Sequence, residues 1–300
     1  MQLNQLLIKY TLIIFFILIP LHSFSESNEN AAGVYWVTFD NRFDFQEAHE
    51  IISNALCCET GFFNMPKENL FTVPMKAELK NGDHSFGTYL DMALKSIEGK
   101  NNPHLVIAIK SHGEKGFVCK QGMTSISHND LIDVIINKAK QFEKSNKSIL
   151  HLTILYDACN SGSIVDELER KLQNEDGRFS NGQNKYSFKI DLLAAANKDD
   201  VAWLNNMWSA IKLLNDLHSL KNQQCSISTE SMCTFQCIGT QTVWSSYRNI
   251  PKKNREKAFS KEEISQIIKL LKTSKTKEDK RYTIKIIQKI GPDELKQKSV

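Results

Sequence analysis

Two short apolar runs, HLVIAI at 104–109 and ILHLTILY at 149–156, constrain this chain more than any other feature. Both are rich in β-branched residues, which pack well on a pleated surface, and neither shows the polar alternation of a half-exposed strand. Each therefore reads as a strand buried on both faces, and such strands belong to parallel sheets covered by helices. Parallel neighbours need a long crossover, and the sequence between the runs supplies one. Asn129 reads there as the N-cap of a helix that turns Leu131, Ile132, Ile135, Ile136, Ala139 and Phe142 inward. The same alternation covers most of the chain, with strands expected at 33–39, 70–73 and 188–194. Helices are expected at 44–56, 86–97 and around Ile164, Val165, Leu168 and Leu172. Residues 116–127 (GFVCKQGMTSIS) break the pattern and read as a small hairpin. The expected fold class is α/β, with a mainly parallel central sheet in an α/β/α sandwich.

The amino-terminal 25 residues stand outside this pattern. Lys9 is their only charge, and the apolar run at 11–21 is about half the roughly 20 residues of a membrane span. Ser23 and Ser25 place small residues at −3 and −1 of a cleavage site, so 1–25 reads as a signal peptide and the mature chain as secreted or periplasmic. The alternative is an uncleaved segment that anchors the chain in a membrane. An exported chain meets oxidising conditions, so its seven cysteines (57, 58, 119, 159, 225, 233 and 237) read as a disulfide set with one left over. If Cys159 is the free thiol, the other six allow up to three bridges.

Charge divides the remainder. Residues 251–300 hold 15 Lys and Arg against 7 Asp and Glu, a net of +8. The whole chain is +4, or +3 without Lys9, which leaves −5 on residues 26–250. A domain at 26–250 followed by a basic, helical C-terminal extension at 251–300 is therefore expected. The extension reads as a solvated helical face, as an inhibitory segment folded over the acidic body, or as an anionic-surface binder. Nucleic acid is not expected as a partner, because Phe259 and Tyr282 are its only aromatic residues.

The two constraining runs end in reactive residues. The first leads into Lys110-Ser111-His112-Gly113-Glu114-Lys115-Gly116, the second into Asp157-Ala158-Cys159-Asn160-Ser161-Gly162-Ser163. Ligands of open α/β sheets bind beyond the carboxyl ends of the strands, so parallel strands would bring His112 and Cys159 to one cleft. A thiol attacks as thiolate, and an imidazole beside it raises that fraction and later protonates a leaving amine. Glycine after the histidine lets the backbone approach closely and offers an N–H to a developing oxyanion.

Strand–His-Gly followed by strand–Asp-Ala-Cys-x-Ser-Gly, with 47 positions from His112 to Cys159, resembles the catalytic pair of caspase-like (clan CD) cysteine peptidases: caspases, metacaspases, legumains and clostripain-like enzymes. The resemblance spans about residues 33–247. It departs from the caspases proper, whose Q-A-C-x-G signature is absent, and DACNSGS is closer to the legumain and metacaspase loops. It implies a cysteine endopeptidase with a caspase-like sandwich. Cys159 attacks the peptide carbonyl, His112 protonates the amine, and the Gly113 and Cys159 N–H groups hold the oxyanion. It also implies protein or peptide substrates, no metal and no organic cofactor, although some relatives are activated by calcium.

Substrate-pocket residues follow from the same resemblance. Asp157 stands where metacaspases and legumains place an acidic S1 residue, which favours a basic or Asn P1 side chain. Arg42 stands where caspases place an Arg for an acidic one, and the two residues are alternatively each other's partners. Ala195, Ala196 and Asn197 form the remaining wall. The polar loop 173–187 reads as an activation cleavage site or an exposed linker, and the tail is similar in position to the C-terminal pro-region of legumains. The reading from a different class is a catalytically inactive caspase-like binding protein. In another, the two motifs are coincidental and Cys159 is bridged.

Overall fold

The computed structural model describes residues 28–38, 42–57, 63–80, 82–119, 125–146, 148–174, 188–199, 202, 207–208, 211 and 242–246. The expected signal segment, most of the polar loop at 173–187, the basic extension and Cys58, Cys225, Cys233 and Cys237 lie outside them.

Among the described residues, six strands form the main sheet: β1 (Ala31–Val37), β2 (Leu70–Val73), β3 (His104–Lys110), β7 (His151–Asp157), β8 (Lys189–Ala194) and β9 (Thr242–Ser245). Their order is β2-β1-β3-β7-β8-β9. The first five run parallel, and β9 closes one edge antiparallel to β8, so the sheet is mixed and mostly parallel. Among the described residues, four helices cross between strands: α1 (Arg42–Leu56), α2 (Phe86–Ser96), α3 (His128–Ser145) and α4 (Ile164–Asn174).

The order explains which face each helix covers. From β1 the chain steps to β2 on one side, then returns past β1 to β3 and onward through β7 and β8. Right-handed crossovers in opposite directions land on opposite faces. Accordingly α2, α3 and α4 bury Leu90, Leu94, Leu131, Ile135, Ile164 and Leu168 against Val34, Trp36, Ile107, Ile154 and Leu192. Ile52, Ala55 and Leu56 of α1 meet Tyr35, Val37, Val106, Ala108 and Leu155 on the other face, beside Met207, Trp208 and Ile211. The period-two split of each strand is what divides the two cores.

Several boundaries differ from expectation for local reasons. β1 occupies 31–37 rather than 33–39, and Thr38 continues the ladder by donating its N–H to the Lys110 carbonyl at 3.0 Å. Helix α3 begins at His128 and is capped by Ser127, whose hydroxyl accepts the Asp130 N–H at 3.1 Å. Asn129 lies inside the first turn and accepts from Arg170 instead. The expected hairpin is a three-stranded antiparallel sheet: β4 (His112–Glu114), β5 (Phe117–Cys119) and β6 (Ile126–Ser127). Gly116 turns it with φ +86°, a conformation that favours glycine.

At the carboxyl end of the sheet, Lys110 is the register partner of Asp157. Its ammonium lies 2.9 Å from Asp157 Oδ2, and both side chains are about 5% exposed or less (4% and 5%). Charges this deep are tolerated when paired, and either one alone costs several kcal/mol. Lys110→Met is therefore expected to destabilise the fold by about 3–5 kcal/mol, and Lys110→Met with Asp157→Leu to recover most of that loss. Urea unfolding of the two variants against the parent checks both.

Candidate active site

The cleft is built by backbone that continues the ladder beyond the strands. Ser111 donates its N–H to the Asp157 carbonyl at 2.9 Å, and Ala195 donates to the Tyr156 carbonyl at 2.9 Å. Thr38 Oγ1 donates to Ser111 Oγ at 2.7 Å, so the ends of β1, β3, β7 and β8 stay level. His112 and Cys159 leave two neighbouring strands, each two residues past the Lys110–Asp157 pair.

The two loops touch through glycine. A Cβ on Gly113 would stand 2.2 Å from the Cys159 carbonyl oxygen and 2.8 Å from Ala158 Cβ, closer than real contacts allow. Gly113 thus lies directly on the Cys159 carbonyl, in the Cys159–Asn160 peptide, and against the Ala158 side chain. His112 opens β4 and is exposed, whereas Cys159 is a partly buried free thiol. Asn160, next in the chain, adopts the left-handed conformation (φ 55°), which asparagine tolerates better than most residues. That turn leads into a short 3-10 segment, Ser161–Ser163, and then α4.

The far wall is the loop after β8. Ala196 is buried, its N–H donates to Ser161 Oγ at 3.0 Å, and its carbonyl accepts the Gly162 N–H at 3.0 Å. A Cβ on Gly162 would meet Thr242 Oγ1 at 2.6 Å, so this glycine too is required by close approach. Asn160 Nδ2 donates to the Lys198 carbonyl at 3.0 Å. Asn197 is exposed, and its Oδ1 accepts from Thr242 Oγ1 at 2.9 Å. Across the cleft rim, Lys115 of the hairpin pairs with Asp199 at 3.0 Å. The Cys159 loop is therefore held between the hairpin on one side and residues 195–199 on the other.

Among the residues anticipated from sequence, His112, Gly113, Cys159, Ala196 and Asn197 share this end of the sheet. Asp157 is there too, but it is buried and carries its counter-ion Lys110 with it. A carboxylate this far from water needs a matched charge, and the nearest strand supplies it. Arg42 is the first residue of α1, and its side chain lies outside the described residues. The expected disulfide set loses a member, because Cys57 is a free thiol that burial pushes to a higher pKa. Five cysteines remain, enough for at most two bridges. Among the described residues, no group of three or more His, Cys, Asp or Glu side chains converges as metal ligands, and no helix is long and apolar enough to cross a membrane.

Beneath the cleft lies a polar cluster that sequence reasoning missed. His128, fully buried at the start of α3, bonds Tyr156 Oη through Nε2 at 2.9 Å and Ser163 Oγ through Nδ1 at 3.3 Å. Burial lowers its pKa from 6.5 to about 4, while Glu167 and the Phe117 backbone pull more weakly the other way. Its only sequence signal is a histidine at the first position of an otherwise apolar-faced helix.

A doubly wound, mostly parallel sheet that delivers His-Gly and Cys to adjacent strand ends defines a class, the caspase-like clan CD cysteine peptidase domains. The chain belongs to the peptidase C13 family, the legumain type of that clan, whose model matches residues 78–269. It is thus a cysteine-type peptidase, a hydrolase acting on proteins or peptides. The match takes in both reactive loops and the 195–199 wall, leaves β1, α1 and β2 outside, and runs beyond Pro251. Among solved structures, the chain resembles the crystal structure of caspase-1 from Spodoptera frugiperda, with a TM-score of 0.36 and 9% identity over 63% of this chain and 70% of that one. No curated protein matches.

Two outcomes are expected. Gly113→Ala forces the hairpin off the Cys159 peptide and should lower kcat/KM about a hundredfold, as measured by peptide hydrolysis, with the fold retained by circular dichroism. For His128, the unfolded chain binds more protons than the folded one between its two pKa values. Its stabilising contribution is complete above about pH 6.5 and lost as pH falls toward 4, amounting to about 3 kcal/mol. Urea unfolding across that window should show a slope that His128→Gln lacks.

Proposed function

We propose that the chain is an exported endopeptidase in which Cys159 and His112 form the catalytic dyad. The observation that carries this reading is the seating of Gly113 on the Cys159 carbonyl at the ends of adjacent parallel strands. The Cys159 thiolate adds to the peptide carbonyl, and the resulting oxyanion accepts hydrogen bonds from the Gly113 and Cys159 N–H groups. His112, as imidazolium, gives its proton to the departing amine as the C–N bond breaks. Water, deprotonated by the now neutral His112, attacks the thioester, and expulsion of the thiolate restores the enzyme.

The chemistry needs no metal or organic cofactor, and calcium enters only as an activator. Residues 1–25 direct export, and the basic extension at 251–300 is the candidate for self-inhibition. Because Lys110 matches the charge of Asp157, Asp157 adds no net negative field to the S1 pocket. A P1 preference there rests on shape and amide contacts at Ala196 and Asn197.

Comparing residues 26–300 with Cys159→Ala and His112→Ala on a peptide library varied at P1 tests this, under mild reductant, with and without calcium, and with the tail removed. Either variant is expected to lower kcat/KM by at least about a thousandfold. Equal turnover by Cys159→Ala would eliminate the dyad. A folded parent without turnover in every condition would instead favour a binding protein on the same scaffold.

A further inference from the structure

We propose that Ser163, His128 and Tyr156 form a positioning clamp that locks the hairpin bearing His112 onto the loop bearing Cys159. The central atom is Ser163 Oγ. It donates to the Asn160 carbonyl at 2.7 Å, immediately after Cys159, and accepts the Gly116 N–H at 3.2 Å, at the turn of the hairpin. One hydroxyl thus joins the two loops that the chemistry requires to be in register. The hairpin turn is gripped a second time, because the His128 N–H donates to the Gly116 carbonyl at 2.8 Å.

The hydrogen-bond directions follow from the donor count. Ser163 has one proton, and the shorter contact commits it to the Asn160 carbonyl, so toward His128 its oxygen accepts. His128 therefore carries its proton on Nδ1, which leaves Nε2 to accept from the Tyr156 hydroxyl at 2.9 Å. Tyr156 lies on β7 three residues before Cys159, and Ser163 lies four after it. The clamp is thus anchored on both flanks of the nucleophile and reaches across to the base. All three side chains are buried, where an unmade hydrogen bond is costly.

The arrangement requires neutral His128. A second ring proton on Nε2 would face the Tyr156 hydroxyl donor to donor and turn that hydroxyl toward the Phe117 carbonyl, 3.5 Å away. The groups acting on the ring are Tyr156 from β7, Ser163 from the 3-10 segment, Glu167 from α4 and the Phe117 backbone from the hairpin. Glu167 favours the charged form but is itself held by Arg170 at 2.8 Å, and desolvation outweighs it.

The inference deepens the peptidase reading and rests on it for its kinetic arm alone. Hydrogen–deuterium exchange of residues 112–119 and peptide hydrolysis are measured on the full chain for the parent, Ser163→Ala, Ser163→Thr and Tyr156→Phe. Ser163→Ala is expected to speed exchange in the hairpin about tenfold without changing β3 or β7, and to lower kcat about tenfold with KM within about twofold. Ser163→Thr, which keeps the hydroxyl, is expected to restore both. Tyr156→Phe should show the same pattern more weakly, and carries the test if Ser163→Ala does not fold. Unchanged hairpin exchange, or exchange raised uniformly across the sheet, would overturn the clamp. So would local loosening with kcat unaltered in an active parent. A parent without turnover removes the peptidase reading and leaves the clamp to be decided by exchange alone.

Discussion

The parallel pairing of β3 with β7 governs everything above it. Their register runs without a break from His104 opposite His151 to Lys110 opposite Asp157. In a strand, a slip of one residue sends every side chain to the other face. Here it would exchange the Ile107 and Ile154 face for the Val106 and Leu155 face, placing each set in the wrong core. Hydrophobic burial on two sides thus sets the register, and the register sets which loop residues meet. The seating of Gly113 on the Cys159 peptide is a consequence of contacts made several residues lower in the sheet.

Polar contacts reinforce that register at both ends. At the amino end, His104 Nε2 meets Thr153 Oγ1 at 2.9 Å, the His104 and His151 rings stack with centroids 4.5 Å apart, and His151 reaches Asp191 at 2.7 Å. At the carboxyl end, Lys110 meets Asp157. Buried polar pairs add little net stability over well-packed apolar side chains, but they are costly to mismatch. Apolar packing alone would penalise a slipped alignment less than packing together with groups that lose their partners. The sheet therefore combines an apolar middle with polar ends that accept one alignment.

Much of this was legible beforehand. The apolar runs located β3, β7 and β8 to within one or two residues, and the helical period placed α2 and the inward face of α3. The hairpin at 116–127 was readable from its turn residues. Caps were harder, because Ser127 and Asn129 are both good candidates, and only the path of the chain from β6 settles which one ends the turn. The Lys110–Asp157 pair was hidden because a lysine ending an apolar strand looks like a solvated terminus. Its signal was nonetheless present: Lys110 and Asp157 are 47 positions apart, as are His112 and Cys159, and Gly116 and Ser163. A constant offset is what parallel register produces, so accepting the first reactive pair implied the others. The free thiol of Cys57 had no such signal, since its environment is assembled by burial from distant segments.

That constant offset has an evolutionary corollary. What brings histidine to cysteine is the alignment of two strands, and the number of residues between them is incidental. The link from β5 to β6 and the passage from α3 into β7 could grow or shrink while both strands kept their pairing. The interval between His112 and Cys159 can therefore change in length, whereas the distance from each to its own strand, two residues past Lys110 and two past Asp157, cannot change without moving the two loops out of contact. New segments for recognising partners would be accommodated in those connections without disturbing the chemistry.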